Sequence, residues 1–430
     1  MSDTRDLLLE IGCEELPASF VEAALRALPD LVHKKLTELR LAHGSIRALG
    51  TPRRLAVLVD HVAERQPDLQ EEVTGPPVKA AFKDGVPTKA AEAFASKIGC
   101  SVADLRRVET PKGEYLVGTR REAGQAAAGL LSEALASIIT AIPFRKSMRW
   151  GSGEFAFGRP MHWIVALFGE DIINVEVAGI KSGRASRGHR FLAPATISFG
   201  TANSYIDTLR AAHVLVDPAE RARAMHERLV EAAKAANGSL IEDEFLIGEN
   251  LSLVEEPHVI IGGYADEFLE LPERVILAVA KGHQRYFGVR GADGRLLPRY
   301  LSVVNTALAP ENIRRGNDRT MRARLSDAKF FYREDVAIPL ADRRSKLGGI
   351  VFQKRLGTML GKATRVERLA REIGLLLSLP EPVLMAAASG AHLAKCDLVS
   401  LMVGEFPELQ GEMGRAYALA QGVSAEVADV

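Results

Sequence analysis

Cysteine is scarce in this chain. It has three in 430 residues, Cys13, Cys100 and Cys396, far apart and without CxxC spacing. That excludes a disulfide framework and a zinc knuckle, and it fits a reducing compartment, so the cytoplasm is the expected location. Long apolar runs are missing too: none approaches the roughly 18 residues that a membrane span needs, and no membrane partner is expected. The opening MSDTRDLLLEIG places acids before a short apolar run and shows no small-residue cleavage site, which is neither a signal nor a transit peptide. Net charge is absent, with 55 Lys plus Arg against 55 Asp plus Glu. So are the common catalytic constellations: there is no HExxH helix, no GxSxG elbow, no His/Cys cluster with metal spacing and no His-Asp dipeptide. Gly357 to Lys362, GTMLGK, has three residues between its glycines where a phosphate loop has four, and Ala363 stands where Ser or Thr would hold magnesium. No catalytic residue and no metal site is assigned.

What remains is an ordinary globular composition, 47% hydrophobic and 26% charged, with material for several domains. Arg5 to Ile11 reads as a buried strand. Pro17 opens a helix with Phe20, Ala24, Leu28, Leu31 and Leu39 at helical spacing, and a second strand covers Leu55 to Val59. The Glu14-Glu15 pair is explained by the dipole at the helix start. Gly75-Pro76-Pro77 begins an inserted subdomain, followed by a long Ala/Leu helix and a strand from Ile172 to Val177. In SGRASRGHRF, His189 reads as a hydrogen-bonding surface residue among arginines. The Asp293-Gly294 turn joins two strands in a hairpin. After Lys362 the pattern is wholly helical, with Pro382 to Met402 as one helix and Gly411 and Gly414 placed where another backbone approaches. The fold expected is an α+β multidomain N-terminal and central region followed by an all-helical HD-like domain. The parts are 1–74, an insertion at 75–122, 123–340, and an incomplete 341–430, because the chain stops at Val430 without a helix stop signal.

Charge is distributed unevenly. Residues 314 to 371 carry 16 basic and 6 acidic side chains, a surplus of ten that the rest of the chain cancels. Such a block marks a local polyanion-binding surface more often than a solubility device. Within RRGNDRTMRARLSDAKFFYR, Arg315, Arg319, Arg322, Lys329 and Arg333 share one helical arc, about a third of a turn from Met321, Leu325, Ala328 and Tyr332. One stripe faces a core and the other suits a nucleic-acid backbone, although a solvated face looks similar. Lys354, Arg355, Lys362 and Arg365 extend the basic set. Arg324 projects beside the apolar stripe and is expected to pair with Asp327 in a structural role. A secondary patch combines Arg145, Lys146, Arg149 and Trp150, cations among aromatics that suit stacking on bases or, equally, an aromatic core with a cationic rim.

The blocks LLLEIGCEELP, TPRRLAV, IPFRKSMRWG, GRPMHWIVALFG, SRGHRF, HQRYFGV, GNDRTMRARLSDAKFFY and KCDLVSLMVGEFPELQGEMGRAYA keep their order from Leu7 to Tyr417. In them the sequence resembles the β subunit of bacterial heterotetrameric glycyl-tRNA synthetase. The resemblance implies two α and two β chains, with the α subunit and tRNA(Gly) as partners and no DNA. It places the class II site for ATP, Mg and glycine on α and most tRNA binding on β, so this chain is expected to bind no cofactor and to be inactive alone. Cys13 and Cys396 depart from the family's usual residues as small-for-small changes. The resemblance implies that the family continues through the rest of an HD-like helical domain into a C-terminal anticodon-binding domain, beyond the stretch that ends at Val430. Two other classes stay open: an HD-type metal phosphohydrolase, and an assembly scaffold whose basic face meets an acidic partner.

Overall fold

The computed structural model describes residues 3–83, 85–111 and 113–430. These fall into two compact units, 1–220 and 221–430. The division falls at 220, where the sequence places parts at 1–74, 75–122, 123–340 and 341–430.

In the first unit, strand Thr4–Cys13 lies at the centre of the sheet, antiparallel to Arg54–Ala63 on one side and to Met161–Phe168 on the other. Residues expected in two separate parts therefore share one sheet, which continues to Ile46–Thr51 at one edge and to Ile180–Gly183 and Glu176–Val177 at the other. The two-residue repeat sends Leu7, Leu9 and Ile11 under helices Ala18–Glu38 and Ala127–Ala141. Leu8 points to the opposite layer with Val165, Tyr205 and Leu209. Helix Ala18–Glu38 buries Val21, Ala24, Leu28, Val32 and Leu36, so the expected Phe20, Leu31 and Leu39 lie at the margin of its buried face. The single strand expected from Ile172 to Val177 is two, because Ile172 pairs with Leu167 whereas Glu176 and Val177 pair with Lys181 and Ile180.

Glu10 also points to the layer of Leu8, and there it is fully buried. It accepts hydrogen bonds from Trp163 Nε1, from Ser186 Oγ at 2.5 Å and from Tyr205 OH at 2.5 Å, with the Arg54 guanidinium 3.7 Å away. A buried carboxylate is tolerated only when surrounded by donors in this way. Trp163 pairs across the sheet with Gly12, where an added Cβ would sit 1.8 Å from the indole. Strands Leu69–Pro77, Arg106–Thr110 and Gly113–Glu122 form a separate small sheet under helix Lys89–Ile98, with Phe94, Ile98 and Leu116 as its core.

The second unit is built on a four-stranded antiparallel sheet that ends in edge strand His258–Gly263, beside Leu296–Val304. One face packs against helix Pro218–Ala235 through Met225, Leu229 and Ala233. The other core contains helix Glu273–Gln284 and the long helix Pro310–Val336, which carries the arginine-rich run. Its 27 residues span about 40 Å. Hairpin Val351–Gln353 with Gly357–Thr358 precedes helices Met359–Leu376 and Glu381–Leu393. Met402, Phe406, Met413 and Tyr417 share the core of Met321, Leu325 and Ala328, so no core boundary falls at 340. The helix expected to run to Met402 ends at Leu393, and Lys395 takes a left-handed φ of 71°. Gly411, at φ 85°, precedes helix Glu412–Ala420 instead of lying inside it. Gly414 faces a side chain and not another backbone: its N–H donates to Asp397 at 3.2 Å. Among the described residues no helix is long and apolar enough to cross a membrane.

Asp335 ends the long helix as a buried acceptor. It takes the N–H groups of Leu401 at 3.0 Å and Met402 at 2.9 Å, the Tyr417 hydroxyl at 2.8 Å, and the Arg343 guanidinium at 3.0 Å. Removing its carboxylate leaves the Leu401 and Met402 amides, the Tyr417 hydroxyl and the Arg343 charge without that acceptor. Asp335→Ala should therefore cost about 3–5 kcal/mol, read as a lower urea midpoint of the second unit's transition. An unchanged midpoint would mean that the network is ornamental.

Candidate nucleic-acid interface

Helix Pro310–Val336 starts with proline at its first turn, where no N–H partner is lost. Met321, Leu325 and Ala328 are fully buried, which fixes the rotation of the helix. Asp318 locks the other end: its Oδ1 accepts the Gly263 N–H at 2.9 Å and the Tyr300 hydroxyl at 2.8 Å, and Arg314 approaches its Oδ2 at 3.0 Å. Burial first, then the Asp318 bond and charge, push the Tyr300 hydroxyl far above its ordinary pKa, so it stays a donor. Sequence reading passed over both Asp318 and Asp335. Their signal was faint but present, two acids at the margins of the apolar arc inside a basic run.

The cation stripe divides in two. Arg315, Arg319 and Arg322 are exposed, and among the described residues no carboxylate lies within ion-pair distance of any of them. Arg315 feels Glu311 only at longer range. The other half is occupied. Lys329 lies over the Phe268 ring with Nζ 2.8 Å from Glu267 and 2.9 Å from Glu270, and its side chain is 12% exposed. These hydrogen bonds raise the Lys329 pKa, and the one from Lys329 helps hold Glu270 below the carboxylate range. Arg333 reaches the same Glu270 at 2.9 Å. The turn Asp266–Glu270 lies along this half of the helix, so Lys329 and Arg333 meet protein carboxylates where the sequence suggested phosphates. Arg324 and Asp327 are not within ion-pair distance of each other among the described residues, which corrects their expected pairing. With the arginine N-terminal to the acid, the helix geometry favours that pair less than the reverse order.

The further basic residues also separate. Lys362 Nζ sits 4.0 Å over the Phe352 ring, and Arg365 donates to the Leu356 carbonyl at 3.3 Å, so both hold the hairpin against helix Met359–Leu376. Lys354 and Arg355 stay exposed at the hairpin tip. In the first unit, Phe144 packs on Phe20 and Phe157, Trp150 meets Phe155 edge-on, and all pack on the main core. The aromatics there are core, and Arg145, Lys146 and Arg149 form an exposed rim, with Arg149 3.0 Å from Glu154.

Three of the blocks that carry the resemblance, those holding Glu14 and Glu15, His162, and Arg190, meet at one end of the first sheet. Arg190 bonds Glu14 at 3.1 Å and Glu15 at 3.2 Å, and His162 lies 3.1 Å from Glu14. Burial raises the Glu14 pKa, but the Arg190 and His162 bonds outweigh it and hold the carboxyl below its usual range. The acid pair is thus held by Arg190 and His162, and the first turn of the next helix holds no acid, which corrects the helix-dipole explanation. His189 is fully buried, not on the surface, and its Nδ1 accepts from the N–H groups of Phe191 and Leu192, both at 3.2 Å. Burial pushes the Cys13 thiol up to about 12 and Cys396 to about 11, so neither is a thiolate at neutral pH. His392 lies 3.1 Å from Glu367, and Asp397 accepts from Gly411 and Gly414.

Comparison with known proteins bears on this arrangement. A family profile described as glycyl-tRNA synthetase beta subunit matches residues 7–430. The glycine–tRNA ligase beta subunit of Moorella thermoacetica is 45% identical over 98% of this chain and 61% of its own length. Those of Geotalea daltonii and Myxococcus xanthus are 42% and 44% identical, over 99% and 97% of this chain and 62% and 60% of theirs. The chain thus spans about three-fifths of the length of these curated relatives. With a match running from the first strand to the last residue, the chain belongs to the glycyl-tRNA synthetase β-subunit family.

Proposed function

We propose that this chain is the tRNA-binding part of a glycine–tRNA ligase β subunit, holding tRNA(Gly) while glycylation proceeds on a partner α subunit in the cytoplasm. The observation that carries the reading is the outer face of helix Pro310–Val336. Three arginines without carboxylate partners project from a helix locked into the core, in a chain whose relatives are glycine–tRNA ligase β subunits. Arginines held by a rigid scaffold keep their charge in place and lose little on meeting a phosphate. Lys354 and Arg355 at the hairpin tip are secondary candidates. ATP, Mg and glycine would be bound by α. The helices from Met359 onward are read as the start of an HD-like domain used for structure, since Asp397 is engaged by backbone N–H groups.

The arginine series tests the reading. Arg315→Gln, Arg319→Gln and Arg322→Gln should each weaken tRNA(Gly) and unrelated tRNAs alike, and should lower the slope of log affinity against log salt by about one. Lys329→Gln should leave that slope unchanged and lower the melting temperature instead, because its partners are Glu267 and Glu270. A slope that drops for Lys329→Gln and not for the arginines would reverse the assignment. Catalysis is tested separately: the isolated chain should give no glycine-dependent pyrophosphate exchange, and a clear signal free of α subunit would refute the division of labour.

A further inference from the structure

Beside the outer arginine face lies a cleft of about 510 Å³, floored by Ile261 to Ala265 and walled by Arg299 on one side and by Arg314, Asp318 and Arg322 on the other. Its floor begins on the edge strand His258–Gly263, which among the described residues pairs only with Leu296–Val304. Tyr264 N–H donates to the Pro298 carbonyl, whereas Gly263 N–H turns outward to Asp318. By the alternation of antiparallel ladders, the Ile261 amide, two residues before Gly263, points outward as well. Its carbonyl points outward with it, so the groups in the cleft that favour an anion are the guanidinium groups of the walls.

The charges in the cleft are not all committed. Asp318 is used by Gly263, Tyr300 and Arg314, and Arg314 also reaches Glu311 at 2.6 Å. Arg299 donates to the carbonyl of its own neighbour Pro298, and among the described residues neither Arg299 nor Arg322 has a carboxylate within ion-pair distance. Arg299 lies across Gly263, where an added Cβ would come within 3.0 Å of its Nη1. By helical angle Arg322 stands between the cleft wall formed by Arg314 and Asp318 and the outer face formed by Arg315 and Arg319. Two guanidinium groups without carboxylate partners, facing one open cleft, make a site for a tetrahedral anion.

We propose that this cleft seats a backbone phosphodiester of the bound tRNA between Arg299 and Arg322. The RNA then follows the outer face of the helix only as far as the turn that holds Arg322 and Ser326, turns over the sheet edge there, and does not continue along Lys329 and Arg333, where Glu267 and Glu270 would repel it. This rests on the tRNA-binding reading and adds to it a route and a residue, Arg299, outside the arginine-rich run.

The experiment measures tRNA(Gly) affinity against salt for Arg299→Gln, Arg322→Gln and the double variant, with Arg315→Gln for comparison. Phosphate-ethylation interference is mapped on the same tRNA. Arg299→Gln should weaken binding several-fold and lower the salt slope by about one. The double variant should lose less than the sum of the singles, because one phosphate is shared. One ethylation-sensitive phosphate should lose its sensitivity in Arg299→Gln, and Arg299→Lys should recover part of the affinity. If Arg315→Gln weakens binding while Arg299→Gln changes neither affinity nor interference pattern, the cleft assignment fails and the tRNA-binding reading survives. If neither variant has an effect, both fail. If Arg299→Gln keeps tRNA affinity and loses binding to the α subunit, the cleft takes a protein carboxylate and the proposal is overturned.

Discussion

The second unit depends on two carboxylates of one helix, Asp318 and Asp335, which accept donors from distant segments. Seventeen residues separate them, about 25 Å along the axis. Asp318 takes the edge strand through Gly263 and the sheet through Tyr300. Asp335 takes the start of helix Leu401–Glu405 and the Tyr417 hydroxyl. Between them Met321, Leu325 and Ala328 pack without exposure. A helix fixed at both ends and along one side cannot rotate, so its remaining face is set. That face carries Arg315, Arg319 and Arg322.

Local acids then decide which cations on the helix remain available. Lys329 and Arg333 lie at nearly the same helical angle as the free arginines, but the turn Asp266–Glu270 lies along their half and supplies Glu267 and Glu270. An ion pair of this kind contributes little stability in the open, but it removes a cation from the set that can meet phosphate. The first unit uses a carboxylate differently. Glu10 is surrounded by Trp163, Ser186, Tyr205 and Arg54, and it joins the central sheet to the layer below it.

The sequence carried much of this where the pattern was local. The 3.6-residue period marked both the long helix and its buried residues, a short apolar run marked the strand read from Arg5 to Ile11, and the Asp293-Gly294 turn marked its hairpin. What could not be read was long-range. Nothing near Lys329 announces carboxylates some sixty residues earlier, and nothing near Asp335 announces amides at Leu401 and Met402. For the same reason the pairing of strand Thr4–Cys13 with Met161–Phe168, across an inserted subdomain, is not visible in the local pattern. In the IPFRKSMRWG region, composition could not separate stacking aromatics from core aromatics, and packing decides for the core.

The central claim is that the outer arginine face of one immobilised helix meets tRNA. The most direct measurement is photo-crosslinking of tRNA(Gly) to a benzophenone amino acid placed singly at Ser326 or at Thr320. Both positions are exposed on the same helix, and they point about a third of a turn apart. The account predicts a crosslink from Ser326 that fades as salt rises, and none from Thr320. A crosslink from Thr320 alone, or from neither position under conditions where tRNA is bound, would contradict it.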